Sequence, residues 1–143
     1  MINKREFSYV PSDFESEKAS NSYVMSLIAL MGGMPLPIIN LIATLLFYLG
    51  NLKSSYYVRW HCTQALMSQL TVLPINSIGF WWTWSILFGD ASVTNNYIAY
   101  LVTVLILNLT EFAATIYTAI QVRRGQHIEW WLFGDLAHVI FER

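Results

Sequence analysis

A single acid stands inside a long uncharged run: Glu111, accompanied by Asn108, Thr115 and Thr118 at helical intervals. Placed on a helix, these four side chains share one face. A carboxylate near the centre of a hydrocarbon-crossing helix costs on the order of 3 kcal/mol to insert, and a proton or a hydrogen-bonding partner relieves that cost. Candidate partners in other apolar segments are Asn40 and Thr44, Gln69 and Asn76. Two chemistries follow. The ridge could be a proton- or substrate-sensitive site between helices. It could equally be a bracket across the bundle, each bond of which contributes about 0.6 kcal/mol.

A second group lies at the edge of an apolar run, in "YYVRWHCTQALMSQL". There Arg59, Trp60 and His61 are followed by Gln64 and Ser68, with His61, Gln64 and Ser68 on one helical side. Arg59 can reach lipid phosphate, Trp60 suits the headgroup layer, and His61 could cap or bridge the chain's tail. In that tail, His127, Asp135, His138 and Glu142 fall near one helical stripe. Zinc sites bring Cys or His in tight pairs, and His61, Cys62, His127 and His138 are not spaced that way, so no metal is expected. No nucleophile motif, glycine-rich phosphate loop or pair of intramembrane carboxylates appears, so neither an enzyme nor a cofactor is expected.

The elements that must carry these residues follow from the charge pattern. The chain has 143 residues, 55% of them hydrophobic and 12% charged, where a soluble domain carries about 25% charged residues. Three long stretches, 19–52, 60–89 and 91–122, are ion-free but for Glu111. A crossing needs about 20 apolar residues. The expected fold is therefore an all-α integral membrane bundle with spans at about 22–49, 60–80 and 97–121. Residues 1–20 form a polar tail, 21–125 the bundle and 126–143 an amphipathic helix lying in the interface. Gly32-Gly33-Met34-Pro35-Leu36-Pro37 interrupts the first span. Proline there predicts one kinked crossing; a re-entrant hairpin turning at this stretch is the alternative, since arms of a dozen residues rise only about 18 Å.

Net charge is −1, which supplies no basic field for nucleic acid. The N-terminal residues show no cleavable signal pattern. With three crossings, Lys53, Arg59, Arg123 and Arg124 share one side, so the 50–60 loop and the C-terminus are expected in the cytoplasm and the N-terminus outside, in a bacterial inner membrane.

Tyr57-Val58-Arg59-Trp60-His61-Cys62-Thr63-Gln64-Ala65-Leu66 resembles the Phe/Tyr-Val-Arg-aromatic-His-x-x-Gln-Ala signature of small multipass proteins related to the twenty-kilodalton inner-envelope subunit of the chloroplast import translocon. Arg124-Gly125-Gln126-His127-Ile128-Glu129-Trp130-Trp131-Leu132-Phe133-Gly134-Asp135 resembles that family's closing motif. The resemblance implies a non-enzymatic subunit of a larger membrane complex linked to protein translocation or insertion. The residues themselves also admit a small carrier or channel built on the Glu111 ridge; three helices enclose little space, so it would require a homo-oligomer. The bilayer is the expected partner in both cases.

Overall fold

The computed structural model describes residues 2–33 and 37–141. In chain order these form β1 (Ile2–Arg5), α1 (Asp13–Gly33), α2 (Pro37–Gly50), α3 (Tyr56–Phe88), α4 (Asn95–Arg123), β2 (His127–Trp130) and α5 (Trp131–Phe141).

Helix α1 begins well before the expected first span, and the sequence Ser12-Asp13-Phe14-Glu15 explains why. The Ser12 backbone N–H donates to Glu15 Oε2 at 2.8 Å and the Glu15 N–H donates to Ser12 Oγ at 3.3 Å. This reciprocal capping box satisfies amide groups that have no partner inside the helix. The Ser12 backbone bond, with help from the Ser55, Ser12 and Tyr9 hydroxyls, outweighs the small effect of burial and holds the Glu15 carboxyl down at about 2.

The segment expected to cross once with a kink is instead two helices packed side by side. Lys18 Nζ, near the start of α1, donates to Ser54 Oγ, just past the end of α2, at 3.0 Å. The two helices therefore run antiparallel, as a hairpin. Short arms explain the preference: α2 has 14 residues and rises about 21 Å, less than the hydrocarbon thickness. Of the expected kink, residues 34–36 lie outside the described residues.

Helices α3 and α4 are much longer, 33 and 29 residues, or about 50 and 44 Å. They run antiparallel, stitched at successive levels. Thr83 Oγ1 and Tyr97 Oη lie 2.9 Å apart, Tyr100 Oη donates to the Ile75 carbonyl at 2.7 Å, and the Asn76 and Asn108 amides bond reciprocally at 3.0 and 2.7 Å. Among the described residues, α4 is the one helix both long and apolar enough to cross a membrane by length and composition alone. Of the three expected crossings, length and composition support the one at α4. Helix α3 carries Gln64, Ser68, Gln69 and Asn76 along its length, while α2 is too short.

After α4 the chain reverses at Gly125, whose φ of +75° is open to glycine at little cost. The following residues, expected to be helical, form β2. It pairs antiparallel with β1, Ile2 opposite Trp130 and Arg5 opposite His127. The fold is thus helical with one two-stranded ribbon. The ribbon places β1 at the same end of the bundle as β2 and the 50–60 loop, an arrangement that in a membrane would put both termini on one side. If so, N- and C-terminal tags on the full chain in sealed vesicles will be cleaved by protease from one side, and a cleavage site inserted in the 89–94 loop from the other. Tags cleaved from opposite sides would contradict the ribbon.

Candidate functional site

The two residue groups singled out by type and spacing occupy different levels of the bundle. The first lies at the end closed by the ribbon. Gln64 is fully buried there. Its Nε2 donates to the Ile128 carbonyl at 3.1 Å and its Oε1 accepts from the Trp130 backbone N–H at 2.9 Å. A side-chain amide thus takes the place a third strand would have on the inner edge of β2, satisfying backbone groups that would otherwise be buried unpaired. The second Nε2 hydrogen goes to Tyr23 Oη on α1 at 2.8 Å.

From Tyr23 the bonds continue outward. Tyr23 Oη is 2.9 Å from His61 Nδ1, His61 Nε2 is 3.2 Å from His127 Nδ1, and His127 Nε2 is 3.0 Å from Glu129 Oε1. His138 Nε2 reaches the same oxygen at 2.9 Å, and Arg5 Nη1 pairs with Glu129 Oε2 at 3.0 Å. An ionised carboxylate only accepts, so His127 donates to it through Nε2. Neutral His127 then accepts at Nδ1, His61 donates from Nε2, and Tyr23 donates to His61 Nδ1. One assignment of protons satisfies every member, and every donor points towards Glu129. In the reverse direction the path stops at Tyr23, whose other neighbour, the Gln64 Nε2, is itself a donor. The arrangement is a directional lock and not a through-going proton wire.

Burial holds His127 below its ordinary value of 6.5, against the opposing hydrogen bond and charge of Glu129, with His138 and Arg5 adding to the effect of burial. For Glu129, burial opposes the charged form, but the bonds from His138 and His127 and the charges of His127 and Arg5 outweigh it, leaving the carboxyl below its ordinary 4.5. Rings enclose the path: Phe7 lies 4.7 Å from His127, Tyr57 4.6 Å from His61 and Trp60 4.4 Å from His127.

Several expected placements change. Trp60, expected to face lipid headgroups, is completely buried against the histidines. His127 lies on a strand and not on the tail helix. His138 turns inward to Glu129, while Asp135 is exposed, so these residues do not form one stripe. Helix α5 presents its small face to the protein: Ala137 is fully buried, and a Cβ at Gly134 would stand 3.1 Å from Glu129 Cβ. Its apolar face, with Trp131 70% and Val139 64% exposed, points away. Among the described residues no group of three or more His, Cys, Asp or Glu is arranged to hold a metal ion; the Nε2 atoms of His127 and His138 are both spent on one carboxylate oxygen.

The second level is at Glu111. Its Oε1 accepts from Ser68 Oγ at 3.0 Å and Gln69 Nε2 at 2.7 Å, both on α3. Asn108 and Asn76 pair with each other, and Thr118 accepts the Trp130 indole N–H at 2.7 Å. Asn40 and Thr44 do not join this ridge: Thr44 donates to the Asn40 carbonyl of its own helix, and Asn40 Oδ1 is buried without a partner. Tyr23, Glu129, Trp130 and Arg5 went unrecognised in the sequence. The one signal for them was His127-x-Glu129, a spacing of two that puts both side chains on one face of a strand.

Helices with exposed apolar sides, one of them long and apolar enough to cross a membrane, joined by inward polar pairs and closed at one end by a buried polar cap, fit the class of small helical membrane proteins. Residues 19–136 match the model of the magnetosome magnetite crystal formation protein family, MamF/MmsF, and the chain belongs to that family. No curated protein and no solved structure matches it. The family match overturns the likeness to the chloroplast import translocon subunit and with it the link to protein translocation. His61 and Gln64 of the first motif meet His127, Ile128 and Trp130 of the second inside the cap. Their order in the sequence therefore reflects a packing device, which carries no information about import.

Two outcomes follow. Gln64→Ala strips partners from the Ile128 carbonyl, the Trp130 N–H and Tyr23, and should cost about 1–3 kcal/mol for each group left buried and unpaired; detergent-based unfolding measures it. Because folded His127 has the lower pKa, the unfolded chain takes up protons first. Its contribution to stability is present above about pH 6.5 and is lost as pH falls through that value towards the folded pKa. The Glu129 contribution is present above about pH 4.5 and fades below it. The unfolding temperature should therefore drop on acidification from about pH 7 to about pH 5, and His127→Gln should flatten that slope.

Proposed function

We propose that the chain is a non-enzymatic structural subunit of the bacterial magnetosome membrane, contributing to magnetite crystal formation as part of a membrane assembly. The family match supports the setting. The observation that carries the structural role is the pairing of Glu111 with Ser68 and Gln69. A site for a transported ion or solute presents ligands to a cavity; here Glu111 Oε1 accepts two bonds from the facing helix of the same chain. The carrier reading gains nothing from this geometry, and Glu111 acts as a bracket that fixes α3 against α4.

The broad apolar face of α4, with Leu105 and Leu109 each 59% exposed, faces lipid or neighbouring subunits. Lys18, Lys53, Arg59, Arg123 and Arg124 cluster towards the capped end, which we assign to the cytoplasmic side, with the N-terminus included. On this placement, which is that of an inner-membrane protein or of a vesicle derived from it, α1 and α2 form a re-entrant hairpin.

Glu111→Gln keeps an oxygen able to accept from Ser68 and Gln69, so its stability and its recovery in the membrane should stay within about 1 kcal/mol of the parent. Glu111→Leu should cost about 1–2 kcal/mol, with both donors left unpaired. A Gln variant that folds normally yet abolishes a magnetite phenotype would overturn the bracket and restore a chemical role for the carboxyl group.

A further inference from the structure

The two ends of the bundle differ in cross-section. At the capped end α1, α2, α3 and α4 pack together, and the ribbon and α5 add to them. How far the hairpin reaches can be read from its partners. Tyr23 of α1 bonds to His61 of α3, and Ser20 Oγ donates to the Ala119 carbonyl of α4 at 2.8 Å. Helix α1 continues only ten residues past Tyr23, to Gly33, a rise of about 15 Å. It therefore ends near the level of residue 71 on α3, from which Phe88 is about 25 Å further on.

Burial tells the same story. The buried residues of α3 run from Tyr57 to Gln69, and beyond them only Gly79 is buried. In α4 the buried residues cluster at Thr115–Val122, with Tyr97 alone near the other end. Past the hairpin two helices continue, held together by the Asn76–Asn108 and Thr83–Tyr97 pairs. Their outward side chains are apolar: Ile78 is 56% and Ile98 51% exposed. This arm ends in an aromatic group, Trp81, Trp82 and Trp84, followed by a loop whose one charge is Asp90. From Arg59 to Trp82 the rise is about 35 Å, enough to cross the hydrocarbon core of about 30 Å and place both residues near its edges. The leaflet at the capped end therefore holds four helices and the other leaflet two. The exposed apolar side of α5 widens the capped side further at headgroup depth.

We propose that the chain is a membrane wedge, whose binding partner is a curved bilayer carrying the cap on its convex face. The proposal rests on the membrane placement given above. Four helices against two displace unequal lipid area from the two leaflets, and a bilayer bent towards the thinner end relieves the mismatch. Parallel assembly of several copies leaves the ratio unchanged, so oligomers bend the bilayer in the same sense.

The test uses the full-length chain, reconstituted by detergent removal into phosphatidylcholine–phosphatidylglycerol vesicles of small and of large diameter. Resistance to carbonate extraction reports insertion, and protease cleavage of a C-terminal tag reports the fraction with the cap outside. On small vesicles cap-outward molecules should exceed cap-inward ones by about three-fold or more, and on large vesicles the ratio should approach one. Full insertion with the same ratio on both sizes overturns the wedge and leaves the membrane placement standing. Complete loss of the protein to the carbonate supernatant overturns the placement, and the wedge falls with it.

Discussion

Glu129 is a carboxylate whose side chain is only 6% exposed, and a buried charge of this kind must be surrounded by donors. The capped end of the protein is built to supply them. Arg5 comes from the first strand, His127 from the second and His138 from the last helix, and through His127 the demand passes to His61 on α3 and Tyr23 on α1. Five segments, β1, β2, α5, α3 and α1, are tied to one charge. Each donor in the line has its tautomer or rotor set by the next, so the segments cannot shift independently without leaving a buried group unpaired. Gln64 joins the line to the inner edge of β2 and closes the cap.

Within the membrane the constraint is different. Lipid offers no hydrogen bonds, so polar side chains there must be satisfied within the protein: the hydroxyls of Thr71, Thr103 and Thr110 return to carbonyls of their own helices, while the Glu111 carboxyl and the Asn76 and Asn108 amides find partners on the facing helix. The pairs at Glu111, Asn76–Asn108 and Thr83–Tyr97 meet this need along one antiparallel register. Each is worth little alone, but together they fix how the two long helices slide past one another. The short hairpin braces only the half nearest the cap. A rigid capped end and a slender two-helix far end result from where the polar partners happen to lie.

Much of the bundle was legible in the sequence. Long ion-free stretches mark where the helices lie, and the polar residues Asn108 and Glu111, spaced for one helical face, meet Asn76 and Gln69 of α3, while Asn40 and Thr44, equally eligible by type, do not join them. Proline and glycine at 32–37 marked the break between α1 and α2. The start of α1 is written in Ser-x-x-Glu at residues 12–15, a local signal that hydropathy does not carry. The apolar spacing of the tail fits a helix as well as a strand. Residues 127–130 became a strand through pairing with residues 2–5, more than a hundred positions away in the chain.

The sequence by itself determined which segments are apolar enough to need lipid, where helices can start and stop, and which polar groups must find partners there, because these depend on local chemistry and transfer energies. Only the tertiary structure decided that α1 and α2 pack antiparallel, that β1 and β2 pair at one end, and that Tyr23, His61, His127 and Glu129 form a single line. Those outcomes depend on which distant groups meet, and a buried carboxylate with several possible donors has no preference readable from spacing until the chain has brought one set of them within 3 Å.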